Sequence, residues 1–387
     1  MKNANQAIII PPQCLGIMGG GQLGRMFAIA AKQMGYKVAV LDPDSNCPAQ
    51  HFADFFINTA YTDQAGLDQL AQIAAVISTE FENVPAESLK YLQQFVAVYP
   101  DAQAVSITQN RILEKQFFNA NNVATTAYYA ISTLDDISSI NLNVFPAILK
   151  TTTQGYDGKG QMPVANPTEL THAFKALAHA PYILEKLVDL KLEVSVIVAR
   201  NAKGTIAYPV VENIHKNGIL ELTIAPARIE PQLTDKVTQM ALHIINKLDY
   251  IGILAIEFFI THDGQILANE MAPRPHNSGH YTIDACATSQ FEQQIRAICN
   301  LQLGQTTTHE HAIMLGLLGD IWPSNCTQPA WDKILTKYAN LKLHLYEKLE
   351  ARPGRKMGHI TVTGNDIEQL YTQINEIKRS LGMLAHD

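Results

Sequence analysis

Short apolar runs alternate with amphipathic stretches over the first hundred residues. The run CLGIMG is followed by LGRMFAIAAKQMG, whose apolar positions recur at helical spacing, and then by YKVAVLD. Another helix is predicted near residues 66–73, before the run AAVIST. Apolar runs of strand length that alternate with helices are typical of a parallel sheet. We therefore predict a doubly wound α/β unit at the N-terminus.

The middle of the chain has a different pattern. A polar helix carrying Arg111 and Lys115 is followed by the runs VFPAILK and PYILEKLVD, and then by the alternating LEVSVIVA and GILAIEFFI. Alternation without intervening helices indicates antiparallel hairpins and an α+β domain.

A smaller region closes the chain. It contains the strand patterns LKLHLY and HITVTG and an amphipathic helix from residue 366 to about 381. We read it as a capping domain. The predicted domains are a Rossmann-like domain over 1–108, a central domain over 109–305 with a small subdomain at about 125–190, and a C-terminal domain over 306–387.

Composition narrows the class of protein. With 387 residues and 47% hydrophobic side chains, the chain can bury more than one core. A formal charge of −7 disfavours nucleic acid as the main ligand, although a local basic pocket could still bind a small anion. The five cysteines are scattered without a CxxC pair, so no disulfide framework or zinc knuckle is indicated. No apolar stretch is long enough to span a membrane, so we expect a cytoplasmic protein.

The first glycine-rich loop has the dinucleotide-binding pattern. GGGQLG, from Gly19 to Gly24, follows a predicted strand and precedes a helix, and Asp42 ends the next strand. The pattern places backbone N–H groups at a helix N-terminus, which suits any phosphate. A nicotinamide dehydrogenase, another phosphate ligand and a purely structural turn all remain open.

A second glycine-rich loop follows the strand that ends at Lys150. TTTQGYDGKGQ contains three glycines within six residues but no GxxxxGK[ST] frame, which disfavours a P-loop NTPase. It predicts either a mobile flap over phosphates or a flexible hairpin tip with a solvated lysine. Lys150 favours the flap, because it places a cation where phosphates would lie.

A predicted hairpin brings two glutamates together. Asp263 and Gly264 separate GILAIEFFI from QILANE and predict a two-residue type I′ turn. Counting back from that turn, Phe259 faces Ala268 and Glu257 faces Glu270. Like charges directly opposite each other are destabilising, so a Mg²⁺ ion between them is the favoured explanation. An arginine partner or a one-residue register slip is the alternative.

The order of these features resembles the ATP-grasp ligases over almost the whole chain. The motifs GGGQLGRM, EFENVP, QGYDGKGQ, NEMAPRPHNSGHYT and RPGRKMGH resemble, within that superfamily, the 5-(carboxyamino)imidazole ribonucleotide synthetases of purine biosynthesis. The resemblance implies an ATP-grasp fold and carboxylation of 5-aminoimidazole ribonucleotide by ATP and bicarbonate, through carboxyphosphate. It also implies a homodimer, and Mg²⁺ or Mn²⁺ as the metal.

The resemblance assigns roles to residues at four places. The metal would bind Glu257 and Glu270, with Asn269 in support. Expected at the nucleotide are Arg111, Lys150, Gly155, Tyr156, Asp157, Gly158, Lys159, Gly160, Gln161, Glu185, Lys186, Leu187, Val188, Glu193 and His215. Expected at the ribonucleotide are Gln22, Leu23, Glu80, Asn277, Lys348, Arg355 and Lys356. Expected at the reacting groups are Arg274, Lys348 and Tyr156.

Two points remain open at this level. The stretch before Glu80 is more compact than the resemblance predicts, which leaves the roles of Glu80 and Glu82 unresolved. Another ATP-grasp ligase, above all a formate-dependent glycinamide ribonucleotide transformylase, shares the plan but would carry acidic residues in place of Gln22 and Asn277. A non-catalytic nucleotide-binding regulator is disfavoured because both metal glutamates are present.

Overall fold

The N-terminal unit is a parallel sheet covered by helices, as predicted. The computed structural model describes residues 6–153, 160–177, 181–323 and 328–384. The five strands are ordered β3-β2-β1-β4-β5. They are β1 (Cys14–Met18), β2 (Lys37–Leu41), β3 (Phe55–Ile57), β4 (Val76–Thr79) and β5 (Ala97–Val98), with helices α1 (Gln22–Gln33), α2 (Gln64–Ile73), α3 (Ala86–Leu92) and α4 (Ala102–Thr108).

The polar helix α5 (Arg111–Ala120) leads into a small antiparallel sheet. Its strand order is β6-β9-β7-β8. The elements are β6 (Tyr128–Ile131), α6 (Leu134–Ser138), β7 (Ala147–Thr151), β8 (Gln161–Val164), α7 (Pro167–Ala176) and β9 (Tyr182–Lys186). Lys150 lies on β7, shortly before the second glycine-rich loop in the sequence.

A large antiparallel sheet forms the rest of the molecule. Its main path is β15-β14-β10-β12-β13-β16-β18-β17, with β11 paired to β10. The strands are β10 (Leu190–Asn201), β11 (Gly204–Ala207), β12 (Val211–Lys216), β13 (Ile219–Ala225), β14 (Gly252–Thr261), β15 (Ile266–Ala272), β16 (His311–Leu318), β17 (Leu341–Leu345) and β18 (Lys356–Gly364). The helices are α8 (Pro231–Lys247), α9 (Thr282–Ala285), α10 (Gln290–Ile298), α11 (Asp332–Leu335) and α12 (Ile367–Ser380).

The two faces of this sheet are buried against different partners. Even-numbered residues of β14, such as Ile256 and Phe258, pack with Val237 and Ile244 of α8. Odd-numbered residues such as Ile253 face the other way and pack with Tyr281. Because side chains alternate along a strand, Glu257 shares the face opposite α8. Burial of both faces explains why β14 reads as a nearly continuous apolar run.

The C-terminal region is joined to the central sheet. Its strands and helix occur where the sequence predicts them, but β16 is paired with β13, so one sheet crosses the predicted boundary. Leu222 and Ile224 of β13 also share a core with Ile374 of α12. The hydrophobic pattern cannot predict this pairing, because it identifies strands and not their neighbours. No helix in the described ranges is long and apolar enough to cross a membrane.

Candidate active site

The carboxylate pair lies on the hairpin of β14 and β15. Glu257 is paired directly with Glu270, as the sequence predicts, so both project from the same face. The loop differs from the prediction, because the Thr261 N–H donates to Gln265 O at 3.1 Å and leaves three residues between them. Of these three, Gly264 alone has a positive φ, +80°, whereas a type I′ turn needs two. The predicted type I′ turn is therefore wrong.

A β-bulge restores the register that the longer loop would have shifted. Near the turn, Phe259 is paired with Leu267 and not, as predicted, with Ala268. The register then shifts next to Glu257, and Asn269 is the extra residue on β15. Loop and bulge offset each other, so the glutamate pairing is right although one premise was wrong. The Asn269 amide nitrogen lies 3.4 Å from Glu257 Oε2.

The two carboxylates differ in their electrostatic surroundings. Burial, and then the charge of Glu270, raises the pKa of Glu257 to about 7. Burial also opposes ionisation of Glu270, but Arg111 and Lys150 outweigh it and hold its pKa below the usual value. Arg111 Nη1 donates to Glu270 Oε2 at 3.2 Å. Arg111 is thus the arginine partner that the sequence left as an alternative, and it belongs to Glu270. The two carboxylates remain paired hard oxygen donors, which fit Mg²⁺.

Two lysines surround the buried carboxylate of Glu185 at the end of β9. Lys150 Nζ donates to Glu185 Oε2 at 2.9 Å, and Lys115 Nζ lies 3.9 Å from the same oxygen. Lys115 also donates to the backbone oxygen of Asn269 at 2.8 Å, which connects this cluster to the glutamate hairpin. Glu185 Oε1 is buried without a hydrogen-bond partner among the described residues. Because an unpaired buried carboxylate oxygen is costly, it indicates that a ligand's donor completes the site.

Glu193 and His215, expected near the nucleotide, contact each other. His215 Nδ1 lies 2.7 Å from Glu193 Oε2. Burial lowers the pKa of His215, but the bond to Glu193 and the nearby Glu257 outweigh burial and raise it. Strand pairing sets Glu193 opposite Phe259 of β14, so the pair lies on the face that carries the metal candidates.

The first glycine loop already binds carboxylates of its own chain. Gly20 N–H donates to Asp42 Oδ2 at 2.6 Å. Gly21 and Gly24 N–H donate to the two oxygens of Glu80 at 2.7 and 3.1 Å. Glu80 therefore occupies the N-terminus of α1, where a pyrophosphate would lie in a dinucleotide site. This geometry disfavours the dehydrogenase interpretation.

Glu80 and Glu82 have separate tasks. Glu80 is buried, and burial raises its pKa although two backbone N–H groups oppose that shift. Glu82 instead binds Arg274, whose Nε donates to Glu82 Oε2 at 3.1 Å and whose Nη2 contacts the same oxygen. Arg274 Nη1 also donates to the backbone oxygen of Pro275 at 3.1 Å. Arg274, the residue expected to bind the reacting anion, is thus held by Glu82 of the N-terminal unit.

The C-terminal cations approach the same region from another side. Lys356, at the start of β18, is among the charges that lower the pKa of His276, after burial and Arg274. Glu347, next to Lys348, pairs with Arg25 of α1 at 3.2 Å. The structure thus brings Lys348 and Lys356 towards α1 and the Arg274 loop.

Other predicted residues are placed less clearly at the site. Arg355 Nη1 donates to the backbone oxygen of Glu350 at 2.9 Å. Leu23 is 5% exposed and packs in the core, so only its backbone can reach a ligand. Gly160 has a φ of +72°. Gln22 is the first residue of α1, and Asn277 is the first residue of a short 3₁₀ turn. Gln161 is paired with Lys150. The end of β9 and the residues after it contain Lys186, Leu187 and Val188. Gly155, Tyr156, Asp157, Gly158 and Lys159 lie outside the described residues.

Three family profiles match consecutive parts of the chain. They are a ribonucleotide synthetase preATP-grasp domain over residues 13–109, an ATP-grasp domain over 116–291, and a phosphoribosylaminoimidazole carboxylase C-terminal domain over 312–373. The chain is 43% identical over 359 residues to the N5-carboxyaminoimidazole ribonucleotide synthase of Bacillus subtilis, covering 92% of this chain and 93% of the relative. It is 44% identical to the synthase of Brucella melitensis, over 91% of this chain and 96% of that protein. The chain belongs to the N5-carboxyaminoimidazole ribonucleotide synthase family.

Solved structures agree with this assignment. The ADP complex of one N5-carboxyaminoimidazole ribonucleotide synthetase has a TM-score of 0.90 at 42% identity, covering 96% of this chain and 98% of that one. An Aspergillus clavatus synthase, described as a complex with ADP and 5-aminoimidazole ribonucleotide, has a TM-score of 0.88 at 30% identity, covering 96% and 99%. The resemblance inferred from the motifs is confirmed, and the dehydrogenase alternative is wrong. The chain is an ATP-grasp ligase.

The synthase site also contains residues that sequence reasoning did not assign. Glu114 and Lys115 lie one helical turn inside α5 and are buried, at 2% and 1% exposure. Glu114 Oε1 accepts the N–H of Met271, the residue after Glu270, at 2.5 Å. His276 lies 3.6 Å from Glu257. Two adjacent charged residues in a polar helix, such as Glu114 and Lys115, are normally expected to be exposed to solvent. The only sequence signal for a role at the site is that Arg111 lies one helical turn before them.

Proposed function

We propose that this chain carboxylates 5-aminoimidazole ribonucleotide with bicarbonate and ATP, yielding 5-(carboxyamino)imidazole ribonucleotide, ADP and phosphate in purine biosynthesis. The observation that carries the proposal is that two groups of residues lie close together in a chain of this family. Glu257, Glu270 and Lys150 suit nucleotide phosphates with Mg²⁺. Arg274, held by Glu82, supplies a fixed guanidinium for a planar anion.

At the nucleotide end, Lys150 and Arg111 would contact the phosphates. Glu185 and the segment up to Val188 would contact the adenine, where the unpartnered Glu185 Oε1 can accept a hydrogen bond. Glu193 would accept hydrogen bonds from the ribose hydroxyls. Mg²⁺ held by Glu257 and Glu270 would neutralise charge on the phosphoryl group as it transfers.

At the carboxylation end, the chemistry has two bond exchanges. A bicarbonate oxygen attacks the γ-phosphorus and ADP leaves, which forms carboxyphosphate. The exocyclic amine nitrogen then attacks the carboxyl carbon, phosphate leaves, and the amine loses a proton. Arg274 would hold the bicarbonate and then the carboxyphosphate, because its paired donors match a carboxylate. Carboxyphosphate hydrolyses readily, so water has to be excluded from it. Most of the glycine-rich loop that is predicted to act as the lid lies outside the described residues.

The ribonucleotide would lie between α1 and the C-terminal strands. Lys348, Lys356 and Arg355 are the candidates for its phosphate. Gln22 and Asn277 are neutral, which suits an uncharged aromatic amine. Glu80 supports this site indirectly, because its carboxylate fixes the backbone of the loop that carries Gln22.

The deciding experiment is a comparison of two substrate pairs. ADP release is measured with ATP, Mg²⁺, bicarbonate and 5-aminoimidazole ribonucleotide, and separately with formate and glycinamide ribonucleotide. We expect turnover with the first pair. Turnover with the second pair alone would reject this function in favour of the transformylase.

Metal identity, assembly and location remain predictions of this proposal. Replacing Mg²⁺ by Mn²⁺ should support turnover, and Ca²⁺, which is larger and tolerates irregular geometry, should not. Sedimentation equilibrium at micromolar protein should give twice the chain mass of 42.7 kDa if the enzyme is a homodimer. We expect the enzyme in the cytoplasm.

A further inference from the structure

A row of buried polar side chains crosses one face of the large sheet and ends at the glutamate pair. Strand pairing puts Thr223 opposite Asn213, and Ser195 opposite Glu257. Asn213 is 5% exposed, and Thr223 and Ser195 are fully buried. Buried polar groups in an apolar sheet are costly unless they are hydrogen-bonded.

The hydrogen bonds of this row run in one direction. Thr223 Oγ1 donates to Asn213 Oδ1 at 3.2 Å, and Asn213 Nδ2 donates to Ser195 Oγ at 2.8 Å. Ser195 Oγ donates in turn to Ser278 Oγ at 2.8 Å, in the loop after β15. Because Ser278 Oγ accepts that hydrogen, its own hydroxyl hydrogen is available to His276 Nδ1, which lies 2.9 Å away.

The backbone at Ser278 decides the tautomer of His276. The Ser278 N–H, which can only donate, points at His276 Nδ1 at 3.3 Å, so Nδ1 must carry a lone pair. A histidine ring with a bare Nδ1 is neutral and carries its one N–H at Nε2. That atom lies 3.6 Å from Glu257 Oε1.

We infer that the chain Thr223–Asn213–Ser195–Ser278 is a positioning device that holds His276 as the Nε2–H tautomer and directs this N–H at the Glu257 carboxylate. Oε1 of Glu257 then faces a fixed donor while Oε2 faces Asn269. At 3.6 Å the N–H acts on Oε1 as an oriented dipole and not as a direct hydrogen bond. Orientation of a metal-binding carboxylate by an outer donor raises affinity and activity. The expected effect on kcat rests on the proposed function, whereas the tautomer of His276 does not.

The tautomer can be measured without any turnover. We would label the histidines with ¹⁵N, record long-range ¹H–¹⁵N spectra of the whole protein, and assign His276 by the signals lost in His276→Gln. The expected result is a protonated Nε2 and an unprotonated Nδ1. A protonated Nδ1 in the wild-type protein would overturn the inference, even if the enzyme has the proposed activity.

Kinetics separate positioning from mere packing. Ser195→Ala removes the donor to Ser278, and we expect kcat to fall roughly tenfold, the effect of one lost hydrogen bond, with KM for ATP nearly unchanged. Ser278→Thr keeps a hydroxyl and should retain most of kcat. The control is Thr361→Val, because the Thr361 hydroxyl is buried in the same sheet without a partner in the described part of the chain. Wild-type kcat and spectra in Ser195→Ala would reject the positioning role.

Discussion

Glu257→Gln tests the metal site through opposite effects on stability and activity. The pKa of Glu257 is raised from 4.5 to about 7 in the folded protein. The folded state therefore holds a proton that the unfolded state has lost, and stability falls as pH rises from about 4.5 to about 7. The difference of about 2.5 pKa units corresponds to about 3 kcal/mol at 1.36 kcal/mol per unit. Glutamine keeps the shape but cannot ionise, so it removes this cost.

We therefore expect Glu257→Gln to stabilise the metal-free protein at pH 8 by up to about 3 kcal/mol, and to change its stability little at pH 4.5. For 387 residues that unfold cooperatively, this is a rise in Tm of about 4 °C. The same variant should lose the additional stability that Mg²⁺ with ADP gives the wild type, together with ATP turnover.

The measurement is thermal unfolding at pH 5 and pH 8, with and without Mg²⁺ and ADP. Glu292→Gln is the matched control, because Glu292 lies in a partly exposed i,i+4 pair with Arg296 on α10, away from the metal candidates. The reasoning is refuted if Glu257→Gln is no more stable than wild type at pH 8, or if its response to Mg²⁺ is unchanged.

Three further variants test the remaining ends of the site. Lys150→Met should raise KM for ATP at least tenfold, because Lys150 is the cation proposed to lie beside the phosphates. Steady-state ADP release checks this, and an unchanged KM would remove Lys150 from the nucleotide site. Arg274→Lys keeps the positive charge but loses the forked guanidinium that binds Glu82. We expect kcat to fall roughly a hundredfold, which corresponds to about 3 kcal/mol. An unchanged kcat would contradict the role of Arg274 at the reacting anion. Lys356→Ala should raise KM for the ribonucleotide and leave KM for ATP unchanged, and equal effects on both would place Lys356 elsewhere.

The glutamate hairpin shows how far the sequence alone can reach. The Asp263–Gly264 pair locates the turn, and alternation along β14 assigns faces, so the pairing of Glu257 with Glu270 was predictable. The three-residue loop and the bulge at Asn269 could not be predicted. An extra residue does not visibly break the alternation of polar and apolar positions when the residues next to it are apolar or amphipathic. The pairing of Glu257 with Glu270 is right because the two deviations cancel.

The first glycine loop shows the opposite case. Its sequence predicts a phosphate site even when a side chain of the same protein already occupies the backbone N–H groups, because the pattern describes only the backbone geometry. The deciding residue, Glu80, lies at the end of β4, and its position beside the loop follows from the pairing of β1 with β4. Local patterns cannot supply a contact that depends on strand order.

Strand order also explains why the metal pair and its supporting residues coincide. Thr223, Asn213, Ser195, Glu257 and Glu270 come from five different strands. Pairing sets Thr223 opposite Asn213 and Ser195 between Asn213's strand and Glu257, which faces Glu270. Asn213 itself is paired with Glu193, and its side chain reaches Ser195 diagonally through a hydrogen bond. Two like charges at the end of such a row destabilise the sheet when no cation is present, and the hydrogen bonds behind them offset only part of that cost. A sheet selected for stability alone would place apolar residues at these positions. Their retention in the interior is therefore best explained by a ligand that binds at the row's end, and the cost to the unliganded sheet is what Glu257→Gln would remove.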